Sequence, residues 1–171
     1  MNLPAPQSGG RQARIVVFEK CTEEFRRAVY FARHEALQRE WRCIEPEHLA
    51  LGMLYEDTPT LRRAWPPGIT SLADVKRRIE ASLPAGRAYQ TTIDISLSED
   101  AKAVIRASAA ASARLGHDEV GLEHLLLGLT TYERTLWSRL AGGFVLKTLL
   151  RGQGLDPGVI EAHARKMRAR S

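Results

Sequence analysis

Residues 47–52 read Glu47-His48-Leu49-Ala50-Leu51-Gly52, and residues 123–128 read Glu123-His124-Leu125-Leu126-Leu127-Gly128. Five of the six positions are identical at an offset of 76 residues, in a chain of 171. The same offset pairs Ala28-Val29 with Val104-Ile105 and Ile44 with Val120. The similarity therefore runs upstream through a whole helix. Self-similarity at such a period means one supersecondary unit used twice, and it predicts a pseudo-symmetric pair of halves.

Each half reads as helical. Thr22 is a good N-cap for a first helix, with Glu23 and Glu24 favourable against the dipole in its first turn. Phe25, Ala28, Val29, Ala32, Ala36 and Leu37 recur at helical spacing, and Arg26, Arg27, Arg33 and Arg39 fall on a solvated face. A short second helix begins at Pro46, where a missing N–H costs nothing. Leu49, Met53 and Leu54 face inward along it. Thr58-Pro59 opens a third helix ending before Pro66-Pro67-Gly68, and Ser71 with Asp74 resembles a capping box for a fourth over Leu72 to Ser82.

After a surface linker, in which Thr91 to Ile95 could be extended, Ser98 caps the fifth helix and Gly116 stops it. The sixth runs from Leu122 to Leu129. Its three consecutive leucines predict burial on most sides. A seventh spans Glu133 to Leu150 unless Gly142-Gly143 breaks it, and Asp156-Pro157 opens the eighth. The expectation is an all-α fold of eight helices in two four-helix repeats packed together. It divides into a disordered tail over residues 1–17, a first repeat over 18–83, a linker over 84–97, a second repeat over 98–165 and a basic tail over 166–171.

A chain this long buries roughly 70% of its unfolded surface, enough to fold without disulfide or metal. Cys21 and Cys43 form no C-x-x-C pair and read as reduced thiols at or near the core. No apolar run approaches the ~20 residues of a membrane span. Met1 to Arg14 lacks the apolar stretch of a secretory signal, so the cytoplasm is the expected compartment.

The net charge of +5 sits at the ends. Arg11, Arg14 and Lys20 against Glu19 give +2, and Arg165, Lys166, Arg168 and Arg170 against Glu161 give +3. The body is formally neutral, which argues against nucleic-acid binding as the main function, since that needs a basic stripe on the folded face. A nucleic-acid-associated regulator working through the tails is kept as an alternative. No G-x-x-x-x-G-K-[ST] loop, G-x-S-x-G elbow or H-E-x-x-H helix is present, so neither enzyme activity nor a cofactor or metal is expected.

The residues also carry a family resemblance. Phe31-Ala32-Arg33-His34-Glu35-Ala36, Ile44-Glu45-Pro46-Glu47-His48-Leu49 and Leu51-Gly52-Met53-Leu54 resemble the first half of the N-terminal domain of Clp/Hsp100 unfoldases. Leu97-Ser98-Glu99, Ala111 to His117 and Gly121 to Leu129 resemble its second half. The similarity runs from Cys21 to Arg165 and departs from the family at a lengthened segment, residues 131–144. There Trp137 and Phe144 read as core, or as an added contact surface.

The resemblance implies a protein-binding domain without its ATPase modules. Such a domain would dock substrate or adaptor proteins for a Clp ATPase, as a monomer. A decoy that sequesters cyclic peptide antibiotics is a further alternative. In some relatives the motif glutamate, here Glu47 and Glu123, pairs with the guanidinium of phosphoarginine while the phosphate sits at the helix start. A carboxylate fits a guanidinium fork and a helix N-terminus favours an anion.

The neighbouring residue departs from the pattern. Where those relatives have threonine this chain has Pro46 and Leu122. Pro46 removes a hydroxyl and an N–H, and Leu122 removes only the hydroxyl, so the second copy is the stronger candidate. The competing reading is that both glutamates simply complement helix dipoles. His48 and His124 could contact ligand, or could be partly buried and bonded to a neighbouring loop. Gly52 and Gly128 each cost about 1 kcal/mol inside a helix, which close packing against another helix would offset.

Overall fold

The computed structural model describes residues 18–55, 58–83, 95–132 and 146–168. Eight helices are described: α1 (Glu23–Gln38), α2 (Pro46–Tyr55), α3 (Pro59–Ala64), α4 (Leu72–Ser82), α5 (Glu99–Leu115), α6 (Leu122–Thr131), α7 (Leu146–Gly152) and α8 (Pro157–Arg168). Two-residue strands, β1 (Cys43–Ile44) and β2 (Ser96–Leu97), complete the elements. The chain is all-α in class.

The starts of four helices follow from side chains that accept otherwise orphaned N–H groups. Thr22 Oγ1 accepts the Phe25 N–H at 3.3 Å, and Ser98 Oγ accepts that of Ala101 at 3.0 Å. Thr58 serves Leu61 at 3.1 Å and Ser71 serves Asp74 at 3.2 Å. Each cap contributes about 1 kcal/mol. At Ser71 the reciprocal bond of a capping box does not form. The hydroxyl itself donates to the Asp74 carboxylate at 2.7 Å.

The ends of α1 and α5 are built alike with different residues. Gly116 closes α5 at φ 67°, and Glu40, its counterpart at the 76-residue offset, holds φ 56° after α1. A residue with a Cβ pays about 1–2 kcal/mol for the left-handed conformation that glycine adopts freely.

Pairing of α1 with α2 and of α5 with α6 is the repeated unit, and glycine sets its spacing. A Cβ at Gly52 would lie 2.2 Å from the Ala28 carbonyl oxygen and 2.5 Å from the Ala32 nitrogen. At Gly128 it would lie 2.2 Å from Ser108 Oγ and 2.6 Å from the Val104 carbonyl oxygen. These are equivalent positions in the two halves, so the expected close helix packing is present in both.

The halves are joined in two ways. First, α6 contacts α1, α2 and α3 of the first half, α2 contacts α5, and the buried side chains of both halves form one cluster. Second, the short strands cross over. Ile44 pairs in parallel with Leu97, and Cys21 bridges Val120 in parallel. The Ser98 N–H donates to the Ile44 carbonyl at 3.0 Å, and the Thr22 N–H donates to that of Val120 at 3.1 Å. The two bridges are related by the same offset of 76, each half lending a segment to the other.

Several sequence expectations are corrected. Ser96 and Leu97, read as the end of a surface linker, are strand β2. Arg33 and Arg39 are half-buried rather than solvated, and Arg39 pairs with the buried Glu35 at 3.2 Å. Along α2 every residue from Pro46 to Leu54 except Glu47 is buried, not only Leu49, Met53 and Leu54. Of the expected seventh helix the described part is Leu146–Gly152, which ends two residues beyond Leu150. The N-terminal tail, residues 84–94 of the linker and residues 133–145, with Trp137 and Phe144, lie outside the described residues. Neither cysteine is in a disulfide, Cys21 being buried and Cys43 half-buried. Burial pushes their pKa values up to about 11 and about 12. Among the described residues no helix is long and apolar enough to cross a membrane.

Candidate functional site

The two motif copies begin their helices with the same device. The Glu45 N–H donates to His48 Nδ1 at 3.0 Å, and the Gly121 N–H donates to His124 Nδ1 at 2.8 Å. An accepting Nδ1 places the proton of the neutral ring on Nε2. Both rings are 0% exposed, and burial pushes both pKa values down to about 4. Each packs edge-to-face on a second ring: His48 on Trp41 with centroids 5.0 Å apart, and His124 on His117 at 4.8 Å. The histidines are therefore neutral caps of their own helices. The expected bond to an adjoining loop is present, at the residue before each helix, and the rings are fully rather than partly buried.

Around this shared frame the copies diverge. His117 stands where the first half has Trp41, and Gly121 stands where it has Glu45. Cys43 Sγ donates to the Glu45 carboxylate at 3.2 Å in the first half. At the second copy lies a cavity of about 400 Å³, lined by Thr60, Arg63, His117, Gly121, Glu123 and Met167 among others. It collects α3, the start of α6, the end of α8 and the loop after α5. Ser112 holds that loop, its hydroxyl lying 2.8 Å from the Glu119 carbonyl and 3.2 Å from that of His117. His163 Nε2 lies 2.7 Å from the Arg63 carbonyl oxygen and ties α8 to α3 at the cavity's edge.

Glu123 lines this cavity with two further acidic residues, Asp118 and Glu119, and its own side chain is 17% exposed. Burial raises its pKa. Its own backbone N–H and His117 act in the opposite sense, and Glu24 adds to the rise. A Cβ at position 121 would fall 2.6 Å from Glu123 Oε2, so glycine there lets the carboxylate fold back over the helix start. His117 Nδ1 approaches Glu123 Oε1 to 3.8 Å and His124 Nδ1 approaches it to 3.3 Å. The second approach is not an ion pair, because His124 Nδ1 already accepts the Gly121 N–H. Ligand atoms of His117, Glu123 and His124 lie within 4.8 Å of one another. With His124 Nδ1 committed to its cap, His117 and Glu123 remain of this group among the described residues, short of a structural site's four ligands.

Of the sequence-predicted site residues, Glu123 lines the cavity and Leu122 is buried beside it. Glu47 is half-buried at the equivalent position of α2, and Pro46 is buried. Glu47 is not among the residues that line the Glu123 cavity. His117, Gly121 and Arg63 were missed. The comparison of the two copies residue by residue carries the signal for the first two, and nothing local carries it for Arg63.

The Clp repeat (R) N-terminal domain family matches residues 20–143. Chaperone protein ClpC2, chloroplastic, of Oryza sativa subsp. japonica is 28% identical over 161 residues, covering 92% of this chain and 16% of that protein. Chaperone protein ClpC1, chloroplastic, of Arabidopsis thaliana is 27% identical over 170 residues, covering 98% and 17%. The chain thus spans about a sixth of the length of these curated relatives. Among solved structures, the N-domain of ClpV from Vibrio cholerae superposes with a TM-score of 0.67 at 13% identity, over 96% of this chain and 91% of that one. The N-terminal domain of ClpD from Arabidopsis thaliana does so with 0.60 at 21%, over 88% and 98%. These two likenesses are of fold.

Proposed function

We propose, for a chain that belongs to the Clp repeat (R) N-terminal domain family, a role in docking substrate or adaptor proteins for a Clp chaperone-protease. The N-domain is a protein-interaction domain of Clp/Hsp100 chaperones. The observation that carries the docking reading is the Glu123 cavity. It offers a carboxylate little exposed to water in a cavity of about 400 Å³. A carboxylate held in such a place gains from a cationic partner far more than an exposed one does.

The ligand chemistry we assign to it is an arginine-bearing segment, phosphoarginine included. The guanidinium would face Glu123 and the start of α6 would face the phosphate. Glu47 is the weaker site, because Pro46 supplies no N–H there. Titration with phosphoarginine, followed by backbone amide shifts, tests this. Shifts are expected at residues 117–124, larger than those at 45–48, and Glu123→Gln should abolish the first set. Absence of any shift near Glu123 at millimolar ligand would reject the assignment.

A further inference from the structure

The surface of α1 and α2 carries a feature that the fold does not need. Tyr30 is 67% exposed and Tyr55 45% exposed, and both are large aromatic side chains. Phe31 lies between them. It stacks on Tyr55 with centroids 4.2 Å apart and planes 16° from parallel, and meets Tyr30 edge-on at 5.6 Å. Lys76 Nζ sits 5.6 Å from the Tyr55 ring centre, on its face.

The repeat supplies an internal control. At the same positions of the second half stand Arg106, Ala107 and Thr131, and α5 packs on α6 there as α1 packs on α2. Close packing of the two helices therefore does not require the aromatic row. Leaving it in water forgoes roughly 25 cal/mol for each Å² of apolar surface.

The charge around the row is also specific to the first half. The four residues one turn from Tyr30 on α1 are Arg26, Arg27, Arg33 and His34. Around Arg106 they are Lys102, Ala103, Ala109 and Ala110. Lys76 extends the cationic rim on the α4 side. The acidic residues that follow Tyr55, Glu56 and Asp57, lie outside the described residues. Tyrosine and arginine together are the composition of interface centres.

We propose that the Tyr30–Phe31–Tyr55 face is a second docking surface, for an acidic peptide segment of a partner protein that bears aromatic or branched apolar side chains. The apolar side chains cover the ring row, and the carboxylates meet Arg26, Arg27, Arg33 and Lys76. Phe31 and Leu122 line one cleft, so this surface borders the start of α6. It differs from the Glu123 cavity in charge preference and stands or falls separately.

Fluorescence anisotropy with a labelled twelve-residue probe alternating Glu with Leu and Phe tests the proposal, with the same probe carrying Lys for Glu as its control. The acidic probe is expected to bind about ten-fold or more tightly than the lysine probe. The triple variant Tyr30→Arg/Phe31→Ala/Tyr55→Thr installs the second half's own residues, and it should weaken the acidic probe about ten-fold or more. Lys76→Glu keeps all three aromatic rings and should weaken it too, with an unchanged helical circular dichroism spectrum. Equal binding of the two probes, or full affinity in the triple variant, overturns the proposal. An oligothymidylate that displaces the acidic probe and binds more tightly also overturns it, in favour of a nucleic-acid surface.

Discussion

Replacing Gly52 with alanine is expected to lower the unfolding free energy by about 2–3 kcal/mol, although helix propensity alone favours alanine by about 1 kcal/mol. The sign reverses because the new Cβ would sit 2.2 Å from the Ala28 carbonyl oxygen and 2.5 Å from the Ala32 nitrogen. Both are backbone atoms of α1 and cannot rotate away, so the helices must separate. Gly128→Ala should cost less, because its nearest obstacle is the Ser108 hydroxyl, which can turn. Ser108→Ala should recover part of that cost, though not all, since the Val104 carbonyl remains 2.6 Å away. Urea unfolding of the three variants beside the wild type measures the series. A more stable Gly52→Ala protein would show that α1 and α2 are not held at this distance in solution.

The second large effect is acid destabilisation by the two histidine caps. His48 and His124 have folded pKa values of about 4, against the ordinary 6.5. Between those limits the unfolded chain takes up the protons and the folded one does not. Stability is therefore fully present above pH 6.5, declines as pH falls, and stops declining on this account below the folded value. The limiting loss is about 3 kcal/mol for each ring. Protonation also forfeits the bond from the Glu45 or Gly121 N–H, because a charged imidazole has no acceptor. Unfolding by urea at pH 7, 6 and 5 reads the decline. His48→Asn/His124→Asn offers a neutral oxygen in place of Nδ1. It should be less stable at pH 7 yet lose distinctly less than the wild type on going to pH 5. Parallel profiles for the two proteins would mean that the rings titrate normally.

What the sequence made legible was local or repeated. The caps at Thr22, Thr58, Ser71 and Ser98 were readable because a side chain and an N–H three residues on decide them. The glycine contacts were readable because an expensive residue recurs at the same place in both copies. The crossed strands were not. Two residues on each side carry no periodicity, and nothing within either half shows that Ile44 meets Leu97 or that Cys21 meets Val120. The histidines were read as recurrent and bonded to a loop, but which loop N–H they cap was not read. Their own helix start lies three residues back, a distance at which the imidazole reaches an N–H as an acidic or amide side chain does in a capping box.

The candidate site was half legible. Glu123 was named because its motif repeats. The cavity beside it arises where the repeat fails, with His117 in place of Trp41 and Gly121 in place of Glu45. Its other wall, Arg63 and Met167, comes from α3 and α8, distant in sequence. Repetition identifies the scaffold, and departure from it identifies what one half does alone. The same contrast marks Tyr30, Phe31 and Tyr55.

The claim that the chain docks proteins at the motif surface is tested most directly by capture from its native source. Wild-type protein and the Glu47→Ala/Glu123→Ala double variant would be used side by side, with eluates read by mass spectrometry. The account predicts a Clp ATPase, an adaptor or short-lived substrate proteins on the wild type, and their loss from the variant. Identical partner lists for the two proteins would contradict it and leave the glutamates with no role beyond the helix starts.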